Sequence, residues 1–206
     1  MVVFLLSALM AIAVFYSSSA ADQISVFREQ GVIMSAVYNA RNLAVSTYGS
    51  PQNQAEGKSK SKAPCGYGIA IPQGPNGATS ISVFSYVPVN SSAPCPTNEN
   101  DLHPNNLAIS PLPGQPAISL DGVYVRANFD YLYFIPPDPR TCADFPSSGP
   151  PPVGTLCGDT DNLSGGSSAF PNLIITITGR KNTNTGTSTC VVINGFGQIT
   201  TTCPQT

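Results

Sequence analysis

No proline interrupts the chain between Val2 and Tyr48, and this constrains the fold more than any other feature. Val2 to Tyr16 is apolar and uncharged, and the small residues Ser17 to Ala21 carry it onward. Beyond them Val26, Ile33, Val37, Ala40 and Ala44 recur three, four or seven apart, flanked by Met34 and Leu43. Arg28, Ser35, Asn39, Asn42 and Ser46 fall on another face with similar spacing. That pattern predicts an amphipathic helix with one buried stripe. Gly49 and Pro51 supply its stop signal. Gly31 inside it costs about 1 kcal/mol relative to alanine. A helix over the whole stretch would run about 70 Å, too long to pack entirely inside one domain. Its first half is therefore expected in lipid or against other subunits.

Two readings of residues 1–21 are open on the residues alone. A bilayer core needs about 20 apolar residues as a helix, and the serines and alanines only just extend the run that far. A secretory signal peptide fits the length, with Ser18-Ser19-Ala20 resembling a cleavage site, but no basic residue precedes the apolar run. The stripe continuing from Val26 favours a retained helix.

The remainder, residues 50–206, reads as a β-rich head. Only 10% of the residues are charged and the net charge is −2, which excludes the electrostatic footprint of a nucleic-acid binder. Abundant Gly, Pro, Ser, Thr and Asn predict many turns and short strands. Expected strands are Tyr67–Ile71, Ser80–Val89, Ile118–Leu120, Val123–Arg126, Tyr131–Ile135, Leu173–Thr178, Cys190–Asn194 and Gln198–Thr202. The turn sequence Gln73-Gly-Pro-Asn-Gly77 predicts a hairpin of the first two. Asp121-Gly122 predicts a second short pair. Residues 90–115 and 141–169 read as loops, and 50–64, with Lys58, Lys60 and Lys62, as a solvated linker. The expected class is α+β: one long helix, a transmembrane half (1–21) and an amphipathic half (22–49), packed on an antiparallel sheet or sandwich with long loops.

Six cysteines, Cys65, Cys95, Cys142, Cys157, Cys190 and Cys203, include no CxxC pair. Zinc sites usually show tight paired spacing, so disulfides in an oxidising compartment are the better reading. Spacing does not determine connectivity. The sequential set is favoured, because 142 and 157 bracket a Pro/Gly/Ser loop and the other two pairs bracket expected hairpins.

Catalytic constellations are weak. The one histidine, His103, lies in a Pro/Asn-rich loop, alternating with Glu99 and Asp101. Asp159-Thr-Asp161-Asn162 resembles part of a calcium loop, without the bidentate Glu of an EF-hand. Asp130 and Asp138 are two carboxylates of the type glycosidases use, with nothing setting their separation. Asn90 and Asn162 head N-glycosylation patterns, relevant only to a eukaryotic secretory route. No cofactor, metal or enzymatic activity is expected.

Several segments carry a family likeness: the apolar run leading into Ile24-Ser-Val-Phe-Arg-Glu-Gln30 and Ala40-Arg-Asn-Leu-Ala-Val45, then Cys65-Gly-Tyr-Gly-Ile69, Leu132-Tyr-Phe-Ile-Pro-Pro-Asp-Pro139 and Val191-Val-Ile-Asn-Gly-Phe-Gly-Gln-Ile199. In order and texture the chain resembles bacterial type IV pilin-like proteins, closest to the H-type minor pseudopilins of type II secretion systems. The resemblance implies a non-enzymatic filament subunit of the bacterial cell envelope. Its helix would be held singly across the inner membrane and then packed against other pilin or pseudopilin subunits, with the head periplasmic or extracellular. It also implies a short basic leader and then Gly-Phe-Thr-Leu-Ile-Glu or similar, cut after the Gly. Neither that leader nor its Glu is among these residues, and Met1-Val-Val-Phe-Leu-Leu6 would follow naturally after it. The coding sequence upstream of Met1 is therefore expected to hold the segment. The competing expectations are a secreted β-domain binding module or adhesin with a cleaved signal peptide and, with less in its favour, a secreted hydrolase.

Overall fold

The computed structural model describes residues 2–48, 64–75, 77–89, 95, 107–136, 140–145, 154–157, 172–179 and 187–203. Its first element is a single helix, α1 (Val2–Tyr48), 47 residues long. Nothing in that span breaks the backbone ladder, since Gly31 costs little and proline is absent.

Among the described residues eleven strands follow: β1 (Gly66–Ala70), β2 (Ser80–Pro88), β3 (Leu107–Pro111), β4 (Ile118–Ser119), β5 (Val123–Ala127), β6 (Tyr131–Ile135), β7 (Arg140–Phe145), β8 (Gly154–Cys157), β9 (Leu173–Gly179), β10 (Ser188–Ile193) and β11 (Ile199–Thr200). They form two antiparallel sheets. The seven-stranded sheet runs β3-β2-β1-β6-β7-β8, with β4 also on β2; the four-stranded sheet runs β11-β10-β9-β5. Helix α1 packs on both, chiefly on β1, β9 and β10. The class is α+β.

One core joins helix and sheets. Val26, Ile33, Val37, Ala40 and Ala44 are all buried, together with Ala36. They meet Ile69, Ile81, Val83, Leu132 and Phe134 of the larger sheet, and Val123, Val125, Ile175, Ile177 and Val191 of the smaller. The alanines at 36, 40 and 44 lie four apart on the helix and let its lower half approach the strands closely. Polar contacts fix the seating: Ser25 Oγ donates to Asp121 O (3.0 Å), and Gln30 Nε2 donates to Thr189 Oγ1 (3.0 Å) and Cys190 O (2.9 Å). Asn39 Nδ2 donates to Gln115 Oε1 (3.4 Å) and Arg41 Nη1 to Gly197 O (3.5 Å).

A second cluster comprises Cys65, Phe84, Tyr86, Leu107, Tyr133, Ile135 and Cys142. On β2 its members Phe84 and Tyr86 alternate with Ile81 and Val83 of the first core, as the strand period requires. Gly66 and Gly68 of β1 make room for the two rings. A Cβ on Gly66 would collide with the Tyr86 hydroxyl, and one on Gly68 would lie 2.5 Å from the Phe84 ring. Tyr133 meets both Phe84 and Tyr86 edge-on at 5.5 Å.

The β1–β2 and β10–β11 pairings follow the sequence expectation, and β9 pairs with β10 as well. The expected pair around Asp121-Gly122 does not form. Strand β4 pairs with β2, Ile118 opposite Ile81, and β5 pairs with β9 over Val123–Ala127. The turn chemistry is present, with Gly122 at φ 73°. However, the five-residue match to β9 buries Val123 and Val125, which a two-residue pairing with β4 could not do. Strands β3, β7 and β8 fall where loops were expected. Arg140-Thr-Cys-Ala-Asp-Phe145 is poor in β-branched residues, but full register with β6 decides its state, a case of context over propensity.

All six cysteines are paired sequentially, Cys65–Cys95, Cys142–Cys157 and Cys190–Cys203. The second and third link residues 15 and 13 apart, loops for which cross-linking is worth about 3 kcal/mol.

Candidate functional site

The helix carries a second stripe that its own head leaves largely exposed. Ile24, Phe27, Gly31, Met34, Tyr38 and Val45 follow one another at three- and four-residue steps, skipping Arg41 before Val45. At 3.6 residues per turn this line lies about a third of the way round the helix from Val26, Ile33, Val37, Ala40 and Ala44, on a different face. The burial agrees: Ile24 is 69% exposed, Phe27 61%, Val45 46% and Tyr38 42%, and Met34 is half-buried. Four large apolar side chains in one file exceed the scattered exposure normal for a monomer surface. Their spacing is that of an a/d seam, the pattern that docks one helix against another.

Exposure continues toward the N-terminus. Ser7, Leu9, Met10, Ala20 and Ala21, the described side chains before Asp22, are all exposed. The head's first described approach to the helix is near Asp22, whose Cβ lies 3.8 Å from where a Cβ on Gly179 would stand. The stretch before it projects past the head. Among the described residues, no helix is long and apolar enough to cross a membrane. Most side chains of the apolar run Val2–Tyr16 fall outside them.

One charged group is buried beneath the helix. Glu29 is 2% exposed; its Oε1 lies 3.7 Å from Arg28 Nε and its Oε2 has no hydrogen-bond partner. Sequence reading missed it because Glu29 sits beside Arg28 and looks like a solvated face. It also missed the outward stripe, although the signal was available: the three-four spacing of 24, 27, 31, 34 and 38 is as regular as that of the inner stripe.

The acid–base candidates do not assemble into a catalytic arrangement among the described residues. Partial burial pushes the Asp130 carboxyl above its usual range. Its backbone is committed to the fold, with N donating to Asp144 O and O accepting from Ile71 N. Asp138 lies outside the described residues, as do Glu99, Asp101, His103, Asp159, Asp161, Asn90, Asn162 and the three lysines of 58–62. Burial raises the Tyr86 phenol, and burial with Asp144 nearby raises Tyr133, so both stay protonated and neither is a base. Among the described residues no group of His, Cys, Asp or Glu is placed to hold a metal ion. What this surface can do is bury apolar area against a partner of matching shape. No family model, curated protein or solved structure matches the chain.

Proposed function

We propose that the chain is a structural subunit of a type IV pilin-like filament, closest in kind to a minor pseudopilin of a type II secretion system, and that it assembles through its N-terminal helix. The observation that carries this reading is the outward seam of α1. A helix already seated on its own head by one stripe has no folding use for a second stripe of Ile24, Phe27, Tyr38 and Val45. Helices of neighbouring pilin or pseudopilin subunits are the partners this spacing fits.

The projecting N-terminal part supports the same reading. Val2–Ala21 spans about 30 Å as helix, the thickness of a bilayer's hydrocarbon core. Before assembly it would anchor the subunit once across the inner membrane, with the head, read as a disulfide-stapled β-sandwich, on the periplasmic side. Assembly then exchanges lipid burial for helix–helix burial, and the head faces outward. The three disulfides suit an oxidising compartment. The role is non-enzymatic and needs no cofactor.

Intact-mass measurement of the mature protein, with sedimentation of the full chain in detergent, tests the reading. Retention of residues 1–21 and concentration-dependent oligomers are expected. A mature chain cleaved after Ala20 would instead support the secreted binding-module reading and overturn this one.

A further inference from the structure

A groove on one flank of the helix and an exposed phenylalanine on the other, we propose, bind each other between successive copies of this chain. The contact rests on the assembly reading above and goes beyond it, because it joins the head of one copy to the helix flank of the next.

The groove lies between α1 and strands β2 and β4 and holds about 430 Å³. Val32 and Ala36 of the helix, Val83 of β2 and Ile118 of β4 form its apolar walls; Arg28 and Gln115 stand among its polar residues. Its helix side is open at Gly31, where nothing lies within 4 Å of a Cβ position. The Arg28 side chain is 70% exposed. An aromatic ring seated there gains apolar burial and a guanidinium within reach of its face.

Phe196 is 54% exposed at the tip of the β10–β11 turn. The turn is held from within. Asn194 Oδ1 accepts from the backbone N–H of Phe196 (3.1 Å) and of Gln198 (2.9 Å), and Asn194 Nδ2 donates to Gln198 Oε1 (2.8 Å). Gly197, at φ 69°, donates its N–H to Asn194 O at 2.8 Å. A phenylalanine on a turn ordered in advance loses little freedom on docking.

The placement of the two features decides what they build. Arg41 Nη1 donates to Gly197 O, so the turn sits beside Arg41. Arg41 and Val32 are nine residues apart, two and a half helical turns, and therefore on opposite sides of α1. A knob and a groove on opposite flanks make a heterologous contact, which repeats from copy to copy. Seating the Phe196 of one copy in the groove of a parallel neighbour offsets the two helices by roughly seven residues, about 10 Å. Seven residues is also the repeat of the outward seam. The same shift brings Ile24 level with Gly31, Phe27 with Met34 and Tyr38 with Val45, so one displacement satisfies both contacts.

Photo-crosslinking of the full chain in detergent tests this, with p-benzoylphenylalanine in place of Phe196 or, separately, of Phe27. Mixed isotopically labelled and unlabelled copies distinguish contacts between chains from contacts within one. From position 196 the expected crosslinks reach Val32, Ala36, Val83 or Ile118 of a second copy. Phe196→Ala is expected to reduce the inter-copy yield from position 27 about ten-fold, and Ser35→Arg, an exposed position lining the groove, to do the same without touching the turn. Crosslinks from 27 with none from 196 into the groove overturn the knob contact and leave the helix assembly standing. No inter-copy crosslink from either position overturns both.

Discussion

The two faces of α1 have the same period and different residues, and on the proposed reading the difference separates folding from assembly. The inner stripe is branched or small: Val26, Ile33, Val37, then Ala36, Ala40 and Ala44, all buried in the shared core. The outer stripe carries Phe27, Tyr38, Ile24 and Val45, side chains with apolar area left exposed. The inner face is complete once the chain has folded; the outer face is not. A helix of this kind can be judged only by scoring both stripes.

Charge on each face gives the widest separation. Val37→Asp places an unpaired carboxylate in the shared core and should cost about 3–5 kcal/mol, read as loss of the cooperative thermal transition. Phe27→Asp should leave that transition within about 0.5 kcal/mol and abolish oligomers of the full chain. Equal damage to folding by both would erase the distinction. Volume makes the next contrast. Ala40→Leu overpacks the inner face and should cost about 2 kcal/mol in denaturant unfolding, whereas Val45→Leu should cost nothing measurable.

Glu29 qualifies the inner face. Its Oε2 is buried without a partner, so Glu29→Met should stabilise the head by about 1 kcal/mol, seen as a higher urea midpoint at unchanged slope. A fall in the midpoint would mean that Glu29 holds the helix in place. The smallest effect lies away from both faces. Because burial raises the Asp130 pKa above its ordinary 3.8, the folded state holds that proton more tightly than the unfolded chain does. The resulting penalty is absent below pH 3.8 and grows as pH rises through the folded value. Asp130→Asn should therefore exceed the parent in stability at neutral pH, with the gap closing in acid and assembly unaffected.

The helix, its buried stripe and two strand pairings could be read from the sequence, because each rests on local period or turn chemistry. The long-range choices could not. Asp121-Gly122 has hairpin chemistry, but β5 finds a longer partner in β9, far along the chain. Arg140–Phe145 is a strand because β6 lies beside it, not because of its own composition. The outward seam was visible as a spacing, yet its meaning depended on knowing that the head had already taken another face. Glu29 gave no local sign of burial.

The claim that the outward stripe is an assembly surface is tested most directly by sedimentation velocity of the full chain and its Phe27→Asp variant in the same detergent, with thermal unfolding followed in parallel. The account predicts an oligomeric parent, a monomeric variant and coincident unfolding curves. A parent that stays monomeric as its concentration rises, or a variant that assembles as the parent does, would contradict it.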